Sequence, residues 1–106
     1  MPQLKLIALE CIETEDSGED EAYLRVKGVK VWGRSINSGQ TADLSGLPLI
    51  SFNRRARIEL YDEDWPDADD LLGITYAIRS HIGQGEIEYN FTDDDANYKL
   101  TFEVLA

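Results

Sequence analysis

Short runs of β-branched and aromatic residues, separated by turn residues about every ten positions, constrain the fold of this chain more than any other feature. In the run YKLTFEVL, apolar Leu100, Phe102 and Val104 alternate with polar residues, which places the apolar side chains on one face of a strand. No segment has the period of an amphipathic helix. The pattern predicts an all-β fold, an eight-stranded antiparallel β-sandwich of Greek-key type. The predicted strands are 3–12, 22–27, 29–34, 46–52, 56–61, 71–79, 86–92 and 97–105.

The length of 106 residues, of which 42% are hydrophobic, predicts a single domain spanning residues 1–106 around one core. The only cysteine, Cys11, cannot form an internal disulfide, and with the only histidine, His81, it is too little for a Cys/His zinc site within one chain. The sequence has neither a signal-peptide pattern nor an apolar run near the roughly 20 residues of a membrane span. We therefore expect a cytoplasmic protein, although a domain cut from a larger exported protein would look the same.

The acidic residues are concentrated in three segments. The chain has a net charge of −11, with 21 acidic and 10 basic residues. Residues 13–21 and 62–70 hold six carboxylates each, residues 93–95 hold three more, and no lysine or arginine lies in any of them. The remainder of the chain has more basic than acidic residues. Nucleic acid is therefore excluded as a partner of these segments, because binding it requires cations that neutralise phosphates.

The predicted strand order brings the three acidic segments to one end of the sandwich. If strands reverse direction at each connection, odd-numbered connections lie at one end, and the acidic segments are connections one, five and seven. Unit charges of like sign repel at contact distance by about 1 kcal/mol in water and about four times that near a protein surface. So many carboxylates at one end are therefore destabilising unless a cation lies between them.

Clustered carboxylates without imidazole or thiolate ligands favour a hard cation, and flexible loops that supply six to eight oxygens favour calcium over magnesium. The EF-hand pattern does not fit. From Asp62 its D-x-D start is present, but its sixth position is Asp67 instead of glycine and its twelfth is Gly73 instead of glutamate.

The segment IELYDEDWPDADDLLG (58–73) resembles the third calcium loop of C2 domains, in which a strand runs into D-x-D, a further Asp, an apolar pair and Gly. The segment ETEDSGEDEAYLRV (13–26) is similar to their first calcium loop, in the same order along the chain. The resemblance implies a C2-like β-sandwich in the second, permuted topology, because the first strand leads straight into the first loop. It also implies Ca²⁺ as a cofactor, with calcium-dependent binding of phospholipid or protein, and no enzymatic activity.

The resemblance also implies metal ligands at matching positions. In the later loop these are Asp62, Asp64 and Asp70, with Asp67 at a position that often supplies a further oxygen. In the earlier loop Glu15 and Glu21 occupy the positions of family aspartates. Since Asp16 and Asp20 are adjacent to them, the ligands there are either the glutamates or the neighbouring aspartates, and the number of ions stays open.

Two further parts of the sequence are predicted to lie at the same end of the molecule and are candidate functional residues. Residues 93–95 (Asp93, Asp94 and Asp95) lie in connection seven, where they either add a metal ligand or form a polar turn. Trp65 lies at the tip of the later loop, where it either contacts a membrane or partner or folds back over Pro66 or an adjoining loop.

Two other functions remain as alternatives: a calcium-independent sandwich that binds proteins, and a hydrolase that uses a carboxylate pair. The second needs a cleft and two carboxylates with separated pKa values, and no motif in the sequence marks either feature. The partner expected from the calcium hypothesis is an anionic membrane or a protein. The sequence does not assign an oligomeric state.

Overall fold

A computed structural model describes all 106 residues of the chain as two antiparallel sheets packed face to face, with no α-helix. The strands are β1 (Gln3–Glu13), β2 (Asp20–Val26), β3 (Val29–Ile36), β4 (Thr41–Asp43), β5 (Ile50–Ser51), β6 (Arg55–Asp62), β7 (Asp70–Ile78), β8 (Ile87–Phe91) and β9 (Asn97–Leu105). One sheet has the order β4-β1-β9-β8, with β5 also paired to β1, and the other has the order β3-β2-β6-β7. Two 3₁₀ turns span Arg79–His81 and Asp93–Asp95.

The predicted fold class is confirmed, and the one difference in strand number lies at the edge of the first sheet. The strand predicted at 46–52 is reduced to the two residues of β5, and β4 lies where no strand was predicted. Both pair antiparallel with β1, β4 near Leu9 and β5 near Leu4, so they run in the same direction. Together they act as one interrupted strand, and the predicted alternation of strand directions is preserved. Three residues are too few for β4 to show an alternating pattern.

The core lies between the sheets and contains 22 buried apolar residues. The predicted alternation is confirmed in β9, where Leu100, Phe102 and Val104 are all buried. Ile58 and Leu60 of β6 meet them from the opposite sheet and have no exposed area. Burial of apolar area stabilises the folded state by about 25 cal/mol per Å². The packed sandwich therefore supports the loops that connect its strands. None of the helical segments is long and apolar enough to cross a membrane.

The three acidic segments connect strands that end at the same side of the sandwich. We call residues 14–19, between β1 and β2, the first acidic loop; residues 63–69, between β6 and β7, the second acidic loop; and residues 92–96, between β8 and β9, the acidic turn. We call the end of the molecule where they meet the acidic pole.

A close contact between the sheets fixes the acidic turn against the second acidic loop. Gly73 of β7 faces Phe91 of β8, and a Cβ atom on this glycine would lie 2.6 Å from the Phe91 ring and 3.1 Å from its Cα. Only glycine permits this approach without displacing the backbone. Phe91 is fully buried and directly precedes the acidic turn.

Candidate metal centre

Carboxylates from all three acidic segments meet at the acidic pole. Oxygens of Glu15, Asp16 and Asp62 lie within 4.8 Å of one another, and so do oxygens of Glu15, Asp70 and Asp94. The three segments therefore converge at one end of the sandwich, as the predicted strand order requires. Glu15 is common to both groups and lies at the centre of the cluster.

Glu15 is half-buried, and its Oε2 atom is buried without a hydrogen-bond partner. Burial, followed by the proximity of Asp70 and then by the charges of Asp16 and Asp62, raises the pKa of this carboxyl to about 8. A buried carboxylate without a donor is costly. At neutral pH this side chain therefore needs either a proton or a cation.

Asp62 ends β6 and has 2% of its surface exposed. Its Oδ1 accepts a hydrogen bond of 2.9 Å from the backbone N–H of Glu21, which favours the ionised form. Burial outweighs this bond and, with the charges of Asp20 and Asp16, raises the pKa of Asp62 to about 7. In both Asp62 and Glu15, burial and neighbouring carboxylates therefore disfavour the ionised form.

The two remaining predicted residues of the second acidic loop are both exposed. Partial loss of hydration, with the charges of Asp70, Asp67 and Asp16, raises the pKa of Asp64, which places this carboxylate in the field of the cluster. Asp67 lies at the exposed loop tip and belongs to neither carboxylate group.

The four candidates around the first acidic loop separate into two pairs. Glu15 and Asp16 direct their carboxylates into the cluster, whereas Asp20 and Glu21 belong to neither group. Asp20 is fully buried and accepts hydrogen bonds from the backbone and from Tyr98. The Glu21 carboxylate is exposed and receives the Ser35 hydroxyl at 2.8 and 2.9 Å.

Of the three aspartates in the acidic turn, only Asp94 contributes an oxygen to a carboxylate group. The turn is sharp, with positive φ angles of 56° at Asp94 and 63° at Asp95. Asp93 and Asp95 are exposed and belong to neither group.

Trp65 at the tip of the second acidic loop is 85% exposed. Neighbouring residues therefore cover little of the indole. A large apolar side chain so exposed at a loop tip is available for contact with another surface.

Asp69 shapes the second acidic loop, although nothing in the sequence singled it out. Its carboxylate accepts a hydrogen bond from the hydroxyl of Tyr23 and another of 3.3 Å from the backbone N–H of Asp64. In the sequence it is one of six equivalent acids, and its partner Tyr23 lies on a different strand. The spacing of the acidic residues in the sequence therefore does not distinguish the role of Asp69 from that of its neighbours.

No family model and no curated protein matches the chain. Solved structures that resemble it include C2 domains. A structure of two C2 domains of Extended-Synaptotagmin 2 has 23% sequence identity and a TM-score of 0.59, and the match covers 98% of this chain and 39% of that one. A structure described as a C2 domain has 14% identity and a TM-score of 0.56, with 97% and 95% of the two chains covered. A single C2 domain of plant Extended Synaptotagmin 1 has 10% identity and a TM-score of 0.56, with 98% and 91% covered.

The chain spans less than half of the two-domain structure and nearly all of the two single domains. These likenesses show that it has the C2 domain fold, as its loop sequences indicated.

Proposed function

From the C2 domain fold and the geometry of the acidic pole, we propose that this protein is a calcium-binding module. The ion stabilises the acidic loops and switches docking to a membrane or protein partner. The observation that carries the proposal is Glu15, which belongs to both carboxylate groups and has a buried oxygen without a donor.

The donor set fits calcium. Glu15, Asp16, Asp62, Asp70 and Asp94 supply only carboxylate oxygens, and they lie on loops and strand ends that can adjust to a large coordination shell. Calcium accepts six to eight oxygens in flexible geometry, whereas magnesium requires a near-ideal octahedron. Asp64 is the natural next oxygen donor, since it already lies in the field of the cluster. Asp67 at the loop tip is the more distant candidate.

Calcium would supply positive charge where the protein has none. The raised pKa values of Glu15 and Asp62 reflect burial first and neighbouring carboxylates second, and both disfavour the ionised forms. A divalent cation stabilises the ionised carboxylates without protonation. Two ions would add four positive charges, which leaves the chain with its net charge of −11 still negative. The net charge therefore opposes long-range attraction to anionic lipid, and docking depends on local contacts such as the exposed Trp65.

Isothermal titration calorimetry with calcium tests the proposal, with magnesium as the matched control. We expect saturable calcium binding with one or two ions per chain, and weaker binding of magnesium. The absence of calcium binding at millimolar concentrations would overturn the proposal and favour a calcium-independent protein-interaction module.

A further inference from the structure

Each acidic loop is bound by one aspartate that accepts a hydrogen bond from a tyrosine. For the first acidic loop this residue is Asp20, which follows the loop as the first residue of β2, and for the second it is Asp69, the last residue of the loop. Asp20 accepts a hydrogen bond from the hydroxyl of Tyr98 in the opposite sheet, and Asp69 accepts one from the hydroxyl of Tyr23 on β2. Each aspartate also accepts a backbone N–H of the loop that it binds. Neither belongs to a carboxylate group of the pole.

Asp20 joins the first acidic loop to the core. Tyr98 of β9 is fully buried and donates its hydroxyl to Asp20 Oδ2 at 2.6 Å. The same carboxylate accepts the backbone N–H groups of Glu15 at 2.9 Å and Asp16 at 3.3 Å. These two residues direct their own side chains into the cluster. Asp20 therefore fixes the backbone from which two carboxylates of the pole extend.

Asp69 has the same relation to the second acidic loop. It joins the N–H of Asp64 to the hydroxyl of Tyr23, and it directly precedes Asp70 of the pole. Tyr23 is held in place by Tyr61, directly opposite on β6, with ring centroids 5.2 Å apart. Asp69 is thus attached to the sheet through the stacked rings of Tyr23 and Tyr61.

We propose that Asp20 and Asp69 are positioning residues that hold the two acidic loops in a binding-ready conformation before calcium arrives. This inference rests on the proposed function. Converging carboxylates repel one another, so loops without an anchor would spread in the ion-free state. Binding would then require the loops to be ordered, which weakens affinity.

Replacing the tyrosines tests this without touching a carboxylate. Tyr23→Phe and Tyr98→Phe each remove one hydroxyl and leave every charge and every oxygen of the pole in place. We expect calcium affinity to fall by about three- to tenfold for each, which corresponds to the net effect of one hydrogen bond of ordinary strength. The number of ions bound and the salt dependence of binding should not change. Tyr76→Phe, on β7 of the same sheet and away from the pole, is the matched control and should bind as the wild type does.

Amide hydrogen exchange in chelator supplies a readout that does not depend on calcium. Tyr23→Phe should accelerate exchange at Asp64 and leave Glu15 unchanged, and Tyr98→Phe should do the reverse. A general loss of stability would accelerate both sites together and would overturn the positioning role.

The possible failures are distinguishable. If the wild type does not bind calcium, the proposed function fails and the positioning role fails with it. If the wild type binds and both variants have wild-type affinity, only the positioning role is wrong. If a variant loses a bound ion instead of affinity, the hydroxyl or its aspartate belongs to the ligand set and positioning is again wrong. Should Tyr98→Phe fail to fold, Tyr23→Phe decides the question, because Tyr23 is half-exposed.

Discussion

Gly73 and Phe91 pack so closely that a Cβ atom on Gly73 would lie 2.6 Å from the Phe91 ring. This contact joins β7 to β8 directly behind the acidic pole. It holds Asp70, at the start of β7, beside Asp94 in the acidic turn. Close packing of Gly73 against Phe91 therefore contributes to the position of two carboxylates of the candidate site.

Gly73→Ala should destabilise the protein by about 1–3 kcal/mol, because the new methyl group overpacks a closed contact. It should also weaken calcium binding by moving the acidic turn away from the second acidic loop. Chemical denaturation and calorimetry measure the two effects. Gly46→Ala is the control, since no atom lies within 4 Å of its Cβ position. Adding Phe91→Leu to Gly73→Ala removes the ring from the contact and should restore part of both losses. No restoration would show that the Phe91 ring is not their cause and would leave the approach to the Phe91 Cβ and Cα atoms as the cause.

Calcium should raise the unfolding temperature, and magnesium should raise it less. At a free calcium concentration one hundred times the dissociation constant, the gain is about 2.7 kcal/mol per site. Asp62→Asn should remove most of this gain, because Asp62 joins the pole from a buried strand end, and it should leave the chelator-treated protein equally or slightly more stable. Superimposable melts of the wild type in calcium and in chelator would contradict the calcium hypothesis.

The stability of the calcium-free protein should fall as pH rises from about 4 to 8. The folded state raises the pKa of Glu15 from 4.5 to about 8 and that of Asp62 from 3.8 to about 7. A carboxyl with a raised pKa binds its proton more tightly when folded. Its contribution is therefore complete below the unfolded pKa and is lost as pH rises through the folded pKa. Urea unfolding in chelator between pH 5 and 8 measures the slope.

Glu15→Gln should flatten that slope, whereas Glu19→Gln, an exposed change in the same loop, should not. Calcium affinity of the wild type should rise over the same pH range, since protons compete with the ion for the same oxygens. A stability that increases with pH in chelator would show that the pole is not under repulsion.

Features of the fold that follow a repeating sequence pattern could be predicted from the sequence, whereas contacts between particular side chains could not. Alternation in β9 predicted the buried residues Leu100 and Phe102 because period two is visible in any strand with one buried face. The convergence of the acidic segments followed from strand direction alone. The additional strand β4 did not change this result, because β4 and β5 run in the same direction along β1.

The roles of individual carboxylates were not predictable in the same way. Asp20 and Glu15 are both acidic residues of the same segment. In the structure, however, Asp20 accepts a hydrogen bond from Tyr98, whereas Glu15 contributes to the carboxylate cluster of the pole. The difference depends on a tyrosine that reaches the first acidic loop from the last strand of the sandwich. No local pattern encodes such a partner.

Binding to anionic vesicles should require calcium, weaken with salt and depend on Trp65. The indole is 85% exposed at the loop tip, and aromatic side chains with one polar atom favour a membrane interface. Co-sedimentation with phosphatidylserine-containing vesicles measures the effect, and Trp65→Ala should reduce pelleting in calcium without changing calorimetric calcium affinity. If neither protein pellets in calcium, a protein partner is favoured over a membrane.

Asp94 should contribute to calcium binding more than its neighbours in the acidic turn. Its carboxylate lies within 4.8 Å of oxygens of Glu15 and Asp70, whereas Asp93 and Asp95 are exposed and belong to neither group. Asp94→Asn, with Asp93→Asn and Asp95→Asn as matched controls, separates a ligand from a distant charge. A field effect is screened over a Debye length of about 8 Å at 0.15 M salt, so its loss should diminish as salt rises, whereas the loss of a ligand should persist. We expect Asp94→Asn to weaken calorimetric affinity to a similar extent at low and high salt, and each control to have a smaller, salt-sensitive effect. Equal effects of all three substitutions would show that the acidic turn acts through its field alone, and no effect of any would show that it only reverses the chain.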